Sequence, residues 1–198
     1  MRMNPGEWTL TEAARLLGEP QHRLIYLCEK GVVQPDLQDA EGRGSSRRFS
    51  ARNLLEFAVA LRLRDLELPA ALVAAVVHVL RAFEGPVRKQ IAGFHLPESL
   101  RTPTAPDLRV VISDGRRLYF TLGTGKGLAK VFGGIDLQDL KAPRGTLGRL
   151  ERKLALVEPS TGAARGSRSD AFGSPEGSRH ARLEVSVTRI AKDLPPGP

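Results

Sequence analysis

Apolar positions follow a helical period through the first part of the chain. Thr9-Leu10-Thr11-Glu12 has the form of a capping box, so a helix begins there, and Gly18 supplies the backbone freedom that ends it. Pro20 favours the start of a second helix, which Gly31 ends. The apolar side of this second helix is formed by Leu24, Leu27 and Cys28. The pattern predicts two short helices joined by a tight turn, which is a helix-turn-helix unit.

A β-hairpin and two more helices are predicted before residue 87. The segments Val32-Val33-Gln34-Pro35 and Arg47-Arg48-Phe49 flank a polar stretch with glycines, which indicates a hairpin wing with a flexible tip. Ser50 is a good N-cap for a third helix, and Pro69 suits the first turn of a fourth. Gly85-Pro86 is predicted to stop the fourth helix.

The period then changes from helical to alternating. Leu108, Val110 and Ile112 recur at every second position, and Asp114-Gly115 is a strong hairpin signal. Leu118, Phe120 and Leu122 recur in the same way on the far side. A short apolar cluster over 128–140 is predicted to pack against this hairpin as a small α+β module. A last alternation at Leu183, Val185 and Val187 indicates either a returning strand or a segment that becomes ordered on a partner.

The predicted fold class is therefore α+β, with five regions. A winged helix-turn-helix domain covers 1–84, a linker 85–107 and the small α+β module 108–157. Residues 158–182 are rich in Gly, Ser, Arg and Pro with little to bury, which predicts a disordered linker. Residues 183–198 form the last region, which contains the candidate returning strand and a tail.

Charge points to a polyanionic partner but not to where it binds. The 198 residues carry a formal net charge of +8, yet residues 1–84 hold 11 basic and 11 acidic side chains and are neutral. The whole excess lies after residue 84. Evidence for nucleic-acid binding must therefore come from the local pattern of side chains.

Composition also removes several classes of function. The single cysteine, Cys28, excludes an internal disulfide and a multi-thiolate metal site. The absence of a long apolar run and of a secretory signal predicts a cytoplasmic, nucleoid-associated protein. Gly123-Thr124-Gly125-Lys126-Gly127 fits neither a Walker loop nor a dinucleotide fingerprint. With no catalytic arrangement in the sequence, we expect no enzyme, cofactor or metal.

The local pattern does predict contacts to double-stranded DNA. A recognition helix needs exposed hydrogen-bond donors near its N-terminus, and a tyrosine hydroxyl or wing arginines can contact phosphates. Each candidate also has an ordinary alternative, as a solvated charge, a surface polar residue or, for Tyr26, half-buried packing. The candidate DNA-contacting residues are Arg15, Gln21, His22, Arg23, Tyr26, Arg43, Arg47 and Arg48.

Several of these segments, in order and with similar spacing, resemble the DNA-binding domain of the MerR family over residues 8–83. The matching segments are Thr9-Leu10-Thr11-Glu12-Ala13-Ala14, Gly18, Leu24-Ile25-Tyr26, Glu29-Lys30-Gly31-Val32-Val33-Gln34-Pro35, Arg47-Arg48-Phe49-Ser50 and Leu61-Arg62-Leu63-Arg64-Asp65-Leu66. Three positions depart from the family pattern, one of them Leu27, which stands where the family has a second aromatic residue. Ile25 stands where the family usually has Arg, and Glu19 in the turn would repel a phosphate unless it points elsewhere or pairs with Arg23.

The resemblance implies a sequence-specific transcriptional regulator, with repression favoured. We also expect a homodimer, because two half-sites multiply specificity. The segment after residue 84 lacks the cysteines and the ligand barrel of the metal-sensing and multidrug-sensing members. Residues 109–120 and 131–137 also resemble the small C-terminal module of predicted antitoxins with a MerR-like N-terminus, which would imply a cognate toxin as partner. A recombination-directionality or architectural DNA-binding protein is the other alternative.

Overall fold

The computed structural model describes residues 6–37, 47–89, 91–113, 117–123, 130–136, 156–157 and 182–195. These residues form six helices and five strands, so the fold is α+β as predicted. The helices are α1 (Leu10–Leu17), α2 (Gln21–Glu29), α3 (Ala51–Asp65), α4 (Ala70–Arg88), α5 (Glu98–Arg101) and α6 (Val187–Asp193). The strands are β1 (Asp107–Ser113), β2 (Arg117–Gly123), β3 (Lys130–Asp136), β4 (Leu156–Val157) and β5 (Arg182–Ser186).

The chain divides into two compact units. The first contains residues 1–105 and 187–198, and the second contains residues 106–186. The second unit, called the sheet unit, is thus an insertion within the sequence of the first, called the helical unit. Among the described residues, no helix has the length and apolar character needed to cross a bilayer.

The first two helices begin and end where the sequence predicts. The Thr9 hydroxyl accepts a hydrogen bond from the Glu12 amide, and the Glu12 carboxylate accepts one from the Thr9 amide at 2.7 Å, which completes the capping box. Gly18 ends α1 with φ +67°, in the left-handed region that favours glycine. Residues 18–20 then turn the chain directly into α2.

Helices α3 and α4 supply most of the apolar core of this unit. Ser50 and Asn53 form a second capping box at the start of α3, as Ser50 was predicted to do. Phe57, on α3, lies edge-to-face with Phe49, with 5.2 Å between ring centroids. The fully buried apolar residues of α4 include Val73, Val76, Val77, Leu80, Phe83 and Val87.

The predicted stop at Gly85-Pro86 is wrong, because α4 continues to Arg88. Two buried residues explain the extension, since Glu84 and Val87 anchor the last turns on either side of Gly85 and Pro86. The Glu84 carboxylate accepts hydrogen bonds from Arg52 at 2.6 Å and from the Leu96 amide at 3.3 Å. Tertiary contacts thus outweigh the local preference of a Gly-Pro pair.

The hairpin predicted across residues 32–49 also differs from the structure. Residues 32–37, all of them described, carry no strand, and Phe49 instead forms an isolated antiparallel bridge with Trp8. Reciprocal amide-to-carbonyl hydrogen bonds of 3.0 and 2.9 Å join these two residues. Both side chains are buried, so the aromatic pair contributes to the core. The tip predicted for the wing, residues 38–46, lies outside the described residues.

The regions assigned in the sequence to a linker and a tail include core elements. Phe94, Leu96 and Leu100 are buried within the predicted linker 85–107. Helix α6 packs on α3 and α5 and buries Val187 and Ala191. The Arg101 guanidinium donates to the carbonyls of Leu194 and Pro195, which holds the end of α6 against the helical unit.

The second unit is an antiparallel sheet in the order β4-β3-β2-β1-β5. The predicted hairpin is confirmed, because β1 pairs with β2 from Ser113 opposite Arg117 to Asp107 opposite Gly123. The predicted returning strand is also confirmed, as β5 pairs with β1. Part of the apolar cluster predicted after the hairpin forms β3, and residues 158–181 lie outside the described part. The buried face includes Leu108, Val110, Ile112, Leu118, Phe120 and Leu122.

Candidate nucleic-acid interface

Helix α2 presents one face to solvent and buries the other. Leu24 and Leu27 are 0% and 1% exposed and fix the helix against the core. The outward face carries polar donors, one aliphatic and one aromatic side chain, and a carboxylate. The exposed residues of α2 are Gln21, His22, Ile25, Tyr26 and Glu29.

Arg23 does not share this outward face, although it was a candidate DNA contact. Its guanidinium donates to Glu19 at 2.7 Å and to Asp65 at 2.6 Å. The hydrogen bond to Asp65 raises the pKa of Arg23 despite partial burial, so the group stays charged within this pair of carboxylates. Arg23 therefore ties the turn before α2 to the end of α3. Glu19 pairs with Arg23, which is one of the two arrangements expected for it.

Two cations flank Tyr26. The Lys30 ammonium lies 5.7 Å and the Arg64 guanidinium 5.9 Å from the centre of the Tyr26 ring, both within the range of a cation–π interaction. Tyr26 is 37% exposed, so part of its ring is open to solvent beside these two cations. Lys30 is one helical turn after Tyr26 and was visible in the sequence, whereas Arg64 belongs to α3 and required the fold.

Glu12, on α1, is affected by positive charges from α1 itself and from the segment before α3. Its pKa is lowered first by the hydrogen bond from the Thr9 amide, then by the Thr9 hydroxyl, and further by the charges of Arg48 and Arg15. Arg15 is exposed in the last turn of α1. Arg15 and Arg48 are therefore both close enough to Glu12 to stabilise its charge.

The remaining candidates belong to the predicted wing. Arg47 and Arg48 are half-buried and precede Phe49, whose bridge to Trp8 fixes the backbone at this point. Arg43 lies outside the described residues. The structure thus places Arg15, Gln21, His22 and Tyr26 at the surface, and withdraws Arg23 into ion pairs.

A buried polar network holds the segment that leads into the predicted wing. Glu56 is 1% exposed and accepts two hydrogen bonds from Arg81, at 2.8 and 2.5 Å. Asn53 donates to Glu56 and to the Gln34 carbonyl, both at 2.9 Å, and accepts from the Asp36 amide at 3.1 Å. Arg81 also donates to the Gln34 carbonyl at 2.9 Å. Side chains of α3 and α4 thus replace the strand pairing expected at residues 32–37.

No cluster of three or more histidine, cysteine or acidic side chains that could hold a metal occurs within the described ranges. Cys28 is half-buried on α2. The surface around α2 therefore offers hydrogen-bond donors, cations and exposed apolar side chains.

No protein-family model matches the chain, and no curated protein matches it.

Proposed function

We propose that this protein is a sequence-specific DNA-binding transcriptional regulator, in which α2 enters the major groove. The observation that carries the proposal is the outward face of α2, with Gln21 and His22 exposed in its first turn and Tyr26 flanked by two cations. Residues in the first turns of a helix in the major groove contact base edges, and the groove, about 12 Å wide, admits one helix.

Cations at the rim of this face suit the phosphate backbone. Lys30 and Arg64 lie beside Tyr26, whose hydroxyl can donate to a phosphate. Arg15 and Arg48 add two more cations, whose charges both act on Glu12. A neutral domain can bind DNA in this way because local clusters, not net charge, neutralise phosphates. A homodimer on two half-sites would be the expected assembly.

The test is selection of bound fragments from a random-sequence DNA pool with the full chain, followed by affinity measurements at several salt concentrations. We expect an enriched motif and a linear fall of log affinity with log salt. Lys30→Ala and Arg64→Ala should each reduce that slope by about one, and Arg47→Ala and Arg48→Ala test the wing in the same way.

Lys89→Ala is the matched control, because Lys89 is exposed at the end of α4 and outside the candidate set. It should leave affinity and slope unchanged. Recovery of no enriched motif, or equal salt slopes for the wild type and all five variants, would contradict the proposal.

A further inference from the structure

The outward face of α2 carries an exposed isoleucine next to its hydrogen-bond donors. Ile25 is 37% exposed and lies one turn after Gln21. The described large apolar side chains with this degree of exposure are Ile25, Tyr26, Leu37 and Leu66, so half of them are neighbours on α2. This placement gives the helix an apolar contact point within an otherwise polar face.

Because Arg23 is held in ion pairs, base recognition by α2 depends more on the other side chains of its first turns, including Ile25. A free arginine in the first turn would favour guanine, because its fork matches the O6 and N7 acceptors of that base. Here both sides of the guanidinium are engaged by Glu19 and Asp65. The groups left to contact bases in this part of α2 are an amide, an imidazole and an aliphatic side chain.

The amide and the aliphatic side chain match adenine and thymine. A glutamine amide forms paired hydrogen bonds with N6 and N7 of adenine, and an aliphatic side chain contacts the 5-methyl group of thymine. Side chains four residues apart on a helix are about 5–6 Å apart. Base pairs are about 3.4 Å apart, so Gln21 and Ile25 can contact neighbouring pairs.

We propose, resting on the proposed function, that Ile25 is a specificity-determining residue that contacts a thymine 5-methyl group while Gln21 contacts an adenine one or two base pairs away. Each half-site bound by α2 then contains two A·T base pairs, one or two positions apart. Burial of the methyl group against Ile25 supplies the preference for thymine.

The experiment uses the full chain and the DNA motif obtained by selection. Each thymine of the motif is replaced in turn by uracil, which removes only the 5-methyl group, and each adenine by 7-deazaadenine, which removes only the N7 acceptor. Binding constants are measured for the wild type, Ile25→Ala, Gln21→Ala and Leu66→Ala. Leu66 is 39% exposed at the end of α3 and serves as the matched control for loss of an exposed aliphatic side chain.

We expect one thymine per half-site at which uracil weakens wild-type binding about fourfold, the size of one buried methyl group. Ile25→Ala should bind thymine and uracil DNA equally at that position, and Leu66→Ala should keep the wild-type preference. Gln21→Ala should lose sensitivity to 7-deazaadenine at a nearby position while keeping the thymine preference.

Persistence of the full thymine preference in Ile25→Ala would overturn the inference, as would a selected motif with no methyl-sensitive thymine. In both of those cases specific DNA binding remains, so the proposed function stands. Failure to select any motif would instead contradict the proposed function and, with it, this inference.

Discussion

Arg23 occupies the first turn of the candidate recognition helix, yet its charge is satisfied within the protein. Glu19 lies four residues before it, while Asp65 lies at the end of α3. The side chains of both partners are partly exposed, so each ion pair is worth at most about 1 kcal/mol. Their combined effect is to orient α2 against α3 more than to stabilise the unit.

Arg23→Ala tests this role. We expect a free energy of unfolding lower by about 1 kcal/mol and a weaker affinity for the selected DNA, because α2 loses its tie to α3. The salt slope of DNA binding should stay at the wild-type value, since no phosphate contact is removed. A slope smaller by about one would show instead that Arg23 contacts a phosphate.

Glu12 gives a prediction for the dependence of stability on pH. Its folded pKa is lowered from 4.5 by the hydrogen bonds from Thr9, so the folded state favours the charged carboxylate. The stability that Glu12 contributes is fully present at neutral pH. It is lost as the pH falls below 4.5 through the lowered folded pKa.

Glu12→Gln should therefore lose stability at neutral pH and show a smaller further loss in acid than the wild type. Urea unfolding between neutral pH and about pH 3 measures both effects. Parallel pH profiles for the two proteins would rule out the capping carboxylate as the titrating group.

At the scale of elements, the local signals of the sequence were reliable where the chain itself makes the contacts. The capping box at Thr9, the N-cap at Ser50 and the β1–β2 hairpin each depend on residues a few positions apart, and all three are confirmed. The bridge between Trp8 and Phe49 joins residues far apart in sequence, as does the pairing of Arg23 with Asp65. No local pattern contains that information.

The extension of α4 has the same cause. A Gly-Pro pair favours a helix end because proline lacks an amide hydrogen and glycine is flexible. The sequence alone does not reveal that Glu84 is held by Arg52 and the Leu96 amide, or that Val87 is fully buried. These contacts outweigh the local preference.

Two glycines provide a paired test of these helix boundaries. Gly18 has a φ of +67°, whereas Gly85 is helical, and beyond the adjacent residues and the helix backbone a Cβ added at either would meet no atom within 4 Å. Gly18→Ala should destabilise the protein by about 1 kcal/mol because of its left-handed backbone. Gly85→Ala should change the stability by less, because a gain of about 0.5–1 kcal/mol in helix propensity is opposed by the restriction that the following proline places on a residue with a Cβ.

Thermal or denaturant unfolding of both variants measures the two effects. A loss for Gly85→Ala as large as that for Gly18→Ala would contradict the difference between the two backbones. A neutral Gly18→Ala would indicate that the turn between α1 and α2 has another conformation.

At the scale of the whole molecule, the sheet unit is inserted between α5 and α6. The strands that begin and end it, β1 and β5, are antiparallel neighbours, and the Ser186 hydroxyl donates to the Asp107 carboxylate at 3.2 Å. Arg109 links the same two strands, since it donates to Glu184 and Asp107 at 2.6 Å each, and the hydrogen bond to Glu184 raises its pKa. The two ends of the insertion are therefore close together.

We expect that replacement of residues 106–186 by a short Gly-Ser linker leaves the helical unit folded, while truncation after Ser186 does not. The truncation removes Val187, Ala191 and Leu194, which are buried in the helical unit. Loss of these three apolar side chains from the core costs several kcal/mol, on the order of 2 kcal/mol for each of Val187 and Leu194 and about 1 kcal/mol for Ala191. Circular dichroism during thermal unfolding compares the two proteins, and equal melting temperatures would contradict the role of α6.

The position of α6 in the sequence also has a consequence during synthesis. The ribosome makes α1 to α5 first, but the helix that completes their core is translated only after the whole sheet unit. Until α6 is translated, the apolar surface that it covers on the nascent helical segment stays exposed to solvent. Chaperones bind exposed apolar surface of this kind. Because α6 follows β5 directly, the last strand of the sheet and the helix that completes the helical core are translated one after the other. A nascent chain that has not reached α6 therefore lacks the helix that packs on α3, the same helix to which Arg23 ties α2.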